Sequence, residues 1–305
     1  MKKVGVIGLG NMGRPIARNI LRGGYEVAVY DLNPAAVRSL VDEGAQAAAR
    51  PADVAIDADL VITVLPDGPD VLNAMLGEEG VYHAAREGMV HADFSTVHPS
   101  VGRRLFEEGR KRGVRVLDTA MTRSVPQAEA GTLGLLVGGA AEDLEACRPV
   151  FEKVASTIHH CGPNGAGATM KLVNNLLAGT VAAATMEAML LGVKAGLTPE
   201  LMLSVFETTA ADNASLERTI RPKVLKRAIE RPVFALDLQY KDARLALELA
   251  SDVGAALPVS ALVQQIRGSA RAKGRGRWDT SAIVTVFEEL DGAELRATEP
   301  PAAEA

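Results

Sequence analysis

Short apolar runs alternate with amphipathic stretches through the first half of the chain. Runs bounded by glycine or polar residues are typical of buried strands, and apolar positions three or four apart are typical of helices. The pattern predicts strands at 3–8, 26–31, 59–65, 89–94 and 114–119, with helices after Gly13 and at 34–43, 69–75 and 100–112. Such alternation indicates a parallel, doubly wound sheet.

A glycine-rich turn joins the first predicted strand to the first predicted helix. Gly8, Gly10 and Gly13 have the spacing GxGxxG, and the second strand follows the helix. In this context the first glycine permits a tight turn, the second lets a pyrophosphate approach the backbone, and the third lets helix and strand pack closely. The pattern predicts a dinucleotide site formed by Gly8, Leu9, Gly10, Asn11, Met12 and Gly13.

An acidic residue, Asp31, ends the second predicted strand. A carboxylate there can accept a hydrogen bond from a ribose 2′-hydroxyl, and its charge would repel the 2′-phosphate of NADP. The next residues, Leu32-Asn33-Pro34, include no arginine that could bind such a phosphate. We therefore predict NAD as the cofactor, with NADP less favoured.

Ligands of doubly wound sheets bind beyond the carboxyl ends of the strands, where three loops of this chain are predicted to lie. Leu65-Pro66 and Ser95-Thr96 are two of them, and for Leu65-Pro66 a cofactor contact and a simple turn remain equally open. Arg123 lies in the third loop, DTAMTRSVPQAEAGTL. It is either a solvated charge or a bidentate ligand for a carboxylate, sulfonate or phosphate.

The alternation of strands and helices stops after Gly162-Pro163, and helical periodicity continues to Leu290. The predicted fold is α/β: a Rossmann-like doubly wound sheet domain at 1–163, then an all-α domain at 164–292, joined by a long interdomain helix. Residues 293–305, with two prolines and alternating Glu and Ala, are predicted to be a disordered tail. Clefts between domains commonly bind ligands, so we expect the active site at this junction.

The stretch 165–196 is mostly apolar and Ala-rich, which predicts a long, largely buried helix. Lys171, Asn174, Asn175 and Ala178 fall at i, i+3, i+4 and i+7, on one face. Polar side chains on a buried helix must be hydrogen-bonded, paired or used. Lys171 could act as an acid/base, because burial and a positive nicotinamide ring would lower its pKa, and the two asparagines could bind substrate. An ion pair and structural hydrogen bonds are the alternatives.

Composition narrows the possible functions. A net charge of −5 on 305 residues argues against non-specific nucleic-acid binding. Two cysteines, Cys147 and Cys161, are too few for a disulfide framework and suit a cytoplasmic protein. The five histidines show no metal-ligand spacing, and the apolar stretch 176–193 carries Glu187, so we predict neither a metal nor a membrane span.

Four blocks of the chain resemble the β-hydroxyacid dehydrogenase family over about residues 3–290. They are GLGNMGRPIARNILRGGYEV, DTAMTRSVPQAEAGTLGLLVGG, GAGATMKLVNNLLAGTVAAATMEAMLLGVKAG and FALDLQYKDARLAL. The resemblance implies that Lys171 is the catalytic acid/base and that Asn175 binds substrate. It further implies that Thr96 and Lys241 lie near the nicotinamide, and that the protein assembles as a homodimer or homotetramer. From the sequence pattern alone, Lys241 could instead be exposed.

The substrate loop departs from the usual family pattern, which is Ser-Gly-Gly. Here the loop reads Thr122-Arg123-Ser124, and the arginine adds bulk and a fixed charge. This loop is more similar to that of the sulfolactaldehyde reductase branch, in which an arginine meets a sulfonate. Ala178, however, lacks the hydroxyl that this branch carries on the helix. We expect a small anionic 3-hydroxy acid, carboxylate or sulfonate, as the substrate.

Two other functions remain open at this point. Related imine reductases depart from the family at the lysine position, so the presence of Lys171 makes imine reduction less favoured. A non-catalytic NAD-binding protein would not need both Lys171 and Asn175. The favoured function is hydride transfer between NAD and a 3-hydroxy acid or its semialdehyde.

Overall fold

The buried apolar runs of the first half form one eight-stranded sheet. The computed structural model describes residues 1–298. The strands are β1 (Lys3–Ile7), β2 (Glu26–Tyr30), β3 (Gln46–Ala47), β4 (Leu60–Thr63), β5 (Val90–Asp93), β6 (Arg115–Thr122), β7 (Leu133–Gly138) and β8 (Ala155–Gly162). Their order in the sheet is β3-β2-β1-β4-β5-β6-β7-β8.

The sheet is parallel at every pairing except one, so the predicted doubly wound topology is confirmed with a local exception. β6 and β7 pair antiparallel, from Asp118 opposite Gly138 to Thr122 opposite Gly134. The short helix that joins them is too short a connection to carry the chain back for a parallel crossover. Neither β7 nor β8 was part of the predicted pattern.

Helices cover both faces of the sheet, and further helices form the second half of the chain. They are α1 (Gly13–Arg22), α2 (Pro34–Val41), α3 (Gly68–Leu76), α4 (Pro99–Arg110), α5 (Val125–Glu129), α6 (Ala141–Phe151), α7 (Ala166–Lys194), α8 (Pro199–Phe206), α9 (Leu236–Val253), α10 (Pro258–Ala270) and α11 (Val284–Asp291). Short 3₁₀ helices occupy Pro51–Ala55, Val81–His83 and Thr280–Ile283, and π-helical turns occupy Leu216–Val224 and Arg271–Arg275.

The central strand β4 shows why the sheet needs cover on both sides. Leu60 and Ile62 pack in the apolar core on one face, and Val61 packs in a separate core on the other. All three side chains are fully buried. A continuous apolar strand of this kind is stable only when both faces of the sheet are covered.

The start of α7 is fixed to the sheet by a buried carboxylate. Asp118 on β6 accepts hydrogen bonds from the backbone N–H groups of Gly165 (2.6 Å) and Ala168 (2.8 Å). A carboxylate at this position satisfies otherwise unpaired N–H groups and interacts favourably with the helix dipole. Burial nevertheless raises the pKa of Asp118 to about 6, with the two N–H donors opposing the rise.

Gly167 brings the same helix into backbone contact with the sheet. A Cβ at residue 167 would collide with the Leu136 carbonyl oxygen, and it would lie 2.8 Å from the Gly138 nitrogen. The first turn of α7 therefore packs directly on β6 and β7. Lys171 follows one turn later on a helix whose start is rigidly held.

The chain forms two compact units, residues 1–172 and residues from 173 onward. The domain boundary predicted at 163–164 precedes this division because the first turns of α7 belong with the sheet. α7 runs through the division as a single helix of 29 residues. The predicted α/β fold followed by a helical domain is confirmed.

Helix α7 is long as predicted, but it is not largely buried. By length and composition it could cross a membrane, a property that it shares with core helices of soluble proteins, and 39% of its most apolar window is buried. Met186, Met189 and Leu190 are fully buried in the core of the second unit. Val173 and Leu177 on the other side are 52% and 64% exposed.

The core of the second unit extends beyond the last helix. Leu295 is fully buried in it, and the Ala297 N–H donates to the Leu225 carbonyl oxygen at 3.1 Å. Leu295 and the Ala297 N–H therefore attach this part of the predicted tail to the second unit, although residues 294 and 296–298 are exposed. The rest of the predicted tail, 299–305, lies outside the described residues.

Candidate active site

The glycine loop between β1 and α1 has the geometry that its sequence predicts. Gly8 has φ 92°, a left-handed conformation that favours glycine. A Cβ at Gly13 would collide with the Gly8 carbonyl oxygen, so the third glycine is needed for the helix to begin where it does. These two glycines are explained by the fold of the protein itself.

Gly10 differs from every other glycine in the chain. An added Cβ there would meet no atom within 4 Å, and its φ lies outside the left-handed region. All 29 glycines lie within the described residues, and each of the others has a positive φ or a neighbour that a Cβ would touch. The fold therefore does not require glycine at residue 10. The space above it fits a group that must approach the backbone closely, as a pyrophosphate does.

Asp31 lies directly after β2 and holds the glycine loop. Its Oδ2 accepts the Leu9 N–H at 2.6 Å, and its Oδ1 accepts the Asn33 N–H at 2.7 Å. Each carboxylate oxygen has a further lone pair for a ribose hydroxyl. Asp31 is thus placed beside the predicted cofactor loop.

The sheet order reverses between β1 and β4, and this switch point is where doubly wound sheets bind ligands. The glycine loop follows β1, and Leu65-Pro66 follows β4. The Leu65 N–H donates to Ser95 Oγ at 2.9 Å, which ties this loop to the Ser95-Thr96 loop after β5. The structure therefore brings these predicted cofactor residues to one edge of the sheet.

A buried polar network supports these loops from below, and the sequence pattern did not reveal it. Thr63 Oγ1 donates to Asp93 Oδ1 at 2.7 Å and lies 3.0 Å from His91 Nε2, while His91 Nδ1 lies 3.1 Å from the Tyr82 hydroxyl. Burial lowers the pKa of His91 to about 3, so the imidazole is neutral. Asp93 Oδ1 also accepts the Ser95 N–H at 3.1 Å. The network therefore fixes where the chain leaves β5.

The three predicted substrate-loop side chains all help to shape their own loop. Thr122 Oγ1 donates to the Gly134 carbonyl oxygen at 3.2 Å, and Ser124 Oγ donates to Gln127 Oε1 at 2.8 Å. Arg123 Nη1 donates to the Thr132 carbonyl oxygen and, at 2.8 Å, to Ser156 Oγ. Arg123 has φ 76°, a conformation that costs a non-glycine residue about 1–2 kcal/mol.

The polar face of α7 is only partly buried, which corrects the expectation of a buried stripe. Lys171 and Asn175 are half-buried, whereas Asn174 and Ala178 are exposed. Asn174 Nδ2 donates to Asn175 Oδ1 at 3.1 Å, so Asn174 orients its neighbour. The partly buried polar side chains of this face are therefore Lys171 and Asn175.

Asn175 is positioned by a carboxylate that the sequence analysis did not single out. Asn175 Nδ2 donates to Asp242 Oδ2 at 2.7 Å, and Lys241 Nζ lies 3.5 Å from Asp242 Oδ1. Asp242 is 3% exposed, on a helix whose sequence otherwise looks amphipathic. The sequence KD could have suggested an internal partner, but the partner lies 67 residues away in the chain. Within residues 1–298, no group of three or more His, Cys, Asp or Glu side chains is arranged to hold a metal ion.

Comparison with known proteins agrees with this geometry in both halves of the chain. Residues 3–162 match the family model for the NAD binding domain of 6-phosphogluconate dehydrogenase. Residues 165–287 match that for the NAD-binding region of NADP-dependent 3-hydroxyisobutyrate dehydrogenase. Across 96% of its length the chain is 37% identical to 2-(hydroxymethyl)glutarate dehydrogenase of Eubacterium barkeri, of which it covers 97%. The chain belongs to the β-hydroxyacid dehydrogenase family.

Two further relatives in this family also match the chain over nearly its whole length. It is 37% identical to 3-sulfolactaldehyde reductase of Escherichia coli, over 93% of this chain and 95% of the relative. The structure of 3-hydroxyisobutyrate dehydrogenase of Mycobacterium tuberculosis with L-serine superposes with a TM-score of 0.88 at 29% identity, covering 94% of this chain and 99% of that one. As a β-hydroxyacid dehydrogenase, the protein is an NAD-binding oxidoreductase that acts on CH–OH groups. The predicted family and reaction class are confirmed.

Proposed function

We propose that this β-hydroxyacid dehydrogenase interconverts a small anionic 3-hydroxy acid and its semialdehyde, with Lys171 as the acid/base. The observation that carries the proposal is the placement of Lys171 and Asn175 one turn apart on α7. Asp118 and Gly167 fix the start of that helix on the sheet, so the lysine is held by a rigid element. Bound NAD supplies the hydride acceptor for oxidation, and NADH the donor for reduction.

Each residue of the α7 face has a distinct role in this proposal. In oxidation, Lys171 Nζ in its neutral form takes the proton of the substrate hydroxyl as the hydride leaves the same carbon. Asn175 donates to Asp242 through one of its amide hydrogens. Its second amide hydrogen can hold the substrate hydroxyl. In reduction, the protonated Lys171 returns its proton to the carbonyl oxygen.

The residues of the first unit that we propose to bind the cofactor lie at the carboxyl edge of the sheet. The space at Gly10 and the N-terminus of α1 suit the pyrophosphate, and Asp31 suits the ribose hydroxyls. Leu9, Asn11, Met12, Leu65, Pro66 and Thr96 complete the set that we propose from the sheet unit, with Lys241 from the helical unit.

Asp31 sets the expected preference between the two nicotinamide cofactors. The unchanged protein should use NAD with a higher kcat/KM than NADP, because the Asp31 carboxylate repels the 2′-phosphate. Asp31→Asn removes the charge and turns an amide group toward one of two N–H donors, which should lower kcat/KM with NAD by roughly 10- to 100-fold. The ratio of kcat/KM for the two cofactors checks this, and better use of NADP by the unchanged protein would refute it.

Arg123 is proposed to hold the anionic group of the substrate. It directly follows β6 at the carboxyl edge, and both of its contacts use Nη1, so Nε and Nη2 can bind an oxyanion. Arg123→Gly should raise KM by roughly 10-fold or more, as expected for losing a charged hydrogen bond. kcat should change little.

The free energy of unfolding distinguishes a substrate-binding role of Arg123 from a structural one. Relief of the positive φ and loss of the Nη1 contacts should nearly cancel, so the free energy of unfolding should stay within about 1 kcal/mol. Arg123→Lys, which keeps the charge, should restore part of the affinity. An unchanged KM of Arg123→Gly with both carboxylate and sulfonate substrates would contradict substrate binding by Arg123. Its role would then be confined to the contacts with Thr132 and Ser156.

We also propose that the protein is cytoplasmic and forms a homodimer or homotetramer. Apolar side chains of the second unit follow one side of α7 at spacings of three, four or seven residues: Val173, Leu177, Ala184, Ala188 and Leu191. Leu177 and Leu191 are 64% and 70% exposed, and a continuous exposed apolar stripe is typical of an interaction surface. The mass in solution, measured by light scattering, tests the assembly.

A panel of small 3-hydroxy acids, with matched carboxylate and sulfonate members, tests the substrate class. We expect NADH to form with anionic members and not with their uncharged esters or alcohols. Equal rates with charged and uncharged members would contradict an anionic substrate.

A further inference from the structure

Strand β5 carries two buried polar side chains on one face of the sheet. Val90 and Ala92 pack in the apolar core on one face, so His91 and Asp93, which alternate with them, point to the other. His91 and Asp93 are 0% and 2% exposed. Burial removes the hydration of an imidazole, a loss that an apolar side chain at residue 91 would not have. The histidine is therefore expected to make a specific contact.

The contacts of His91 define which groups donate. Because burial lowers the pKa of His91 to about 3, the ring is neutral and carries one N–H. The Thr63 hydroxyl donates its only hydrogen to Asp93 Oδ1 at 2.7 Å, so the imidazole is the donor in the 3.0 Å contact of Nε2 with Thr63 Oγ1. Nδ1 is then an acceptor, and the Tyr82 hydroxyl, 3.1 Å away, donates to it. All hydrogen bonds of this network, Tyr82–His91–Thr63–Asp93, point toward the carboxylate.

The same atoms could be joined in the opposite direction, but the distances disfavour it. A protonated Asp93 would then donate to Thr63, and His91 would carry its hydrogen on Nδ1. Tyr82 would have to donate to the Leu105 carbonyl oxygen, which lies 3.4 Å away, beyond the usual range for an O–H donor. The first direction instead leaves Asp93 as an ionised acceptor.

Asp93 in turn holds the loops that are proposed to bind the cofactor. Its Oδ1 accepts the Ser95 N–H at 3.1 Å, and Ser95 Oγ accepts the Leu65 N–H at 2.9 Å. In the register of β5 and β6, Asp93 lies beside Asp118, which holds the start of α7. Neighbouring buried carboxylates ionise together only where hydrogen-bond donors compensate each of them. Thr63 and Ser95 supply those donors to Asp93.

We propose that His91 is a positioning residue for the nicotinamide end of the cofactor. By donating to Thr63, His91 turns the threonine hydroxyl toward Asp93 and so fixes the Ser95-Thr96 loop. His91 is fully buried, so it acts through these side chains and not by contact with the cofactor. The inference rests on the proposed function, because it takes Thr96 to lie near the nicotinamide.

The first test compares two ligands that differ by the nicotinamide. His91→Leu removes the donor and should weaken the binding of NADH by roughly 3- to 10-fold, the loss expected for one hydrogen bond. ADP-ribose, which lacks the nicotinamide, should bind to the variant and to the wild-type protein equally well. Calorimetric titration measures both affinities without turnover. Equal weakening of both ligands, or of neither, would overturn the proposal.

Two further variants separate this role from general packing. His91→Gln should restore part of the affinity for NADH, because its amide group can both donate to Thr63 and accept from Tyr82. Val61→Ala is the control, since Val61 is fully buried in the core on the same face and lies beside His91 in the register of β4 and β5. It should lower the Tm and leave the ratio of the two affinities unchanged. A changed ratio in Val61→Ala would contradict a specific role of His91.

The direction of the network can be read by NMR of the ligand-free protein labelled with ¹⁵N-histidine. One of the five histidines should carry its proton on Nε2 and should not titrate between about pH 5 and 9. Its signal should be missing from His91→Gln, which assigns it even if His91→Leu does not fold. A proton on Nδ1, or titration in this range, would overturn the proposal. Absence of NADH with every hydroxy acid would instead refute the proposed function, and the NMR spectrum and the ratio of affinities would still decide the role of His91.

Discussion

Replacing Lys171 by methionine should lower kcat by roughly 10²- to 10⁴-fold, the loss typical of removing a group that transfers a proton in the transition state. Methionine keeps the length and the helix propensity of the lysine, so α7 should remain intact. NADH should bind to the variant with little change, as measured by the fluorescence of the bound cofactor.

Lys194→Met is the matched control on the same helix. Lys194 lies at the other end of α7, where its Nζ is 3.4 Å from Asp291 Oδ1 in an exposed ion pair. Such pairs contribute about 0–1 kcal/mol, so kcat and the Tm should hardly change. A Lys171→Met variant with nearly normal kcat would remove Lys171 from the chemistry.

Gly10→Ala should raise the KM for NAD by roughly 10-fold or more while leaving the fold unchanged. The added methyl group meets no protein atom within 4 Å, so the free energy of unfolding should hardly change. The methyl group would instead occupy the space in which the pyrophosphate approaches the backbone. Cofactor affinity by fluorescence titration, together with thermal unfolding, measures both effects on one sample.

Gly13→Ala is the companion change. It should lower the free energy of unfolding, which Gly10→Ala should leave nearly unchanged. Its methyl group would collide with the Gly8 carbonyl oxygen, so α1 could not begin at its present place. Overpacking of this kind typically lowers the free energy of unfolding by about 1–3 kcal/mol, and a backbone carbonyl cannot move aside as a flexible side chain can. A Gly10→Ala variant that binds NAD normally would show that the open space at residue 10 has no role in cofactor binding.

The first unit was predictable because its signals are local. The glycine spacing, the acid after β2 and the alternation of apolar runs all lie within short stretches of sequence. β7 and β8 were missed for different reasons. β7 (LGLLVG) is a short apolar run that begins where the predicted third loop ends, and β8 (ASTIHHCG) lacks an apolar pattern because most of its side chains are partly or fully exposed. Their pairing depends on contacts that the pattern does not encode.

The polar residues that organise the site were harder to predict, because their partners are distant in the chain. Asp118 binds the start of a helix 47 residues later, and Asp242 accepts from Asn175. The predicted burial of α7 failed because Ala-rich helices look alike whether one face or all faces are covered.

A single-turnover experiment on the NAD-loaded protein tests most directly whether Lys171 catalyses oxidation of an anionic 3-hydroxy acid. The NAD-loaded protein is mixed with an excess of the best anionic 3-hydroxy acid, and the absorbance band of NADH is followed by stopped flow. NADH should form in an early phase that Lys171→Met slows by roughly 10²-fold or more. NAD binding without NADH from any hydroxy acid would contradict this role of Lys171 and would identify a non-catalytic NAD-binding protein.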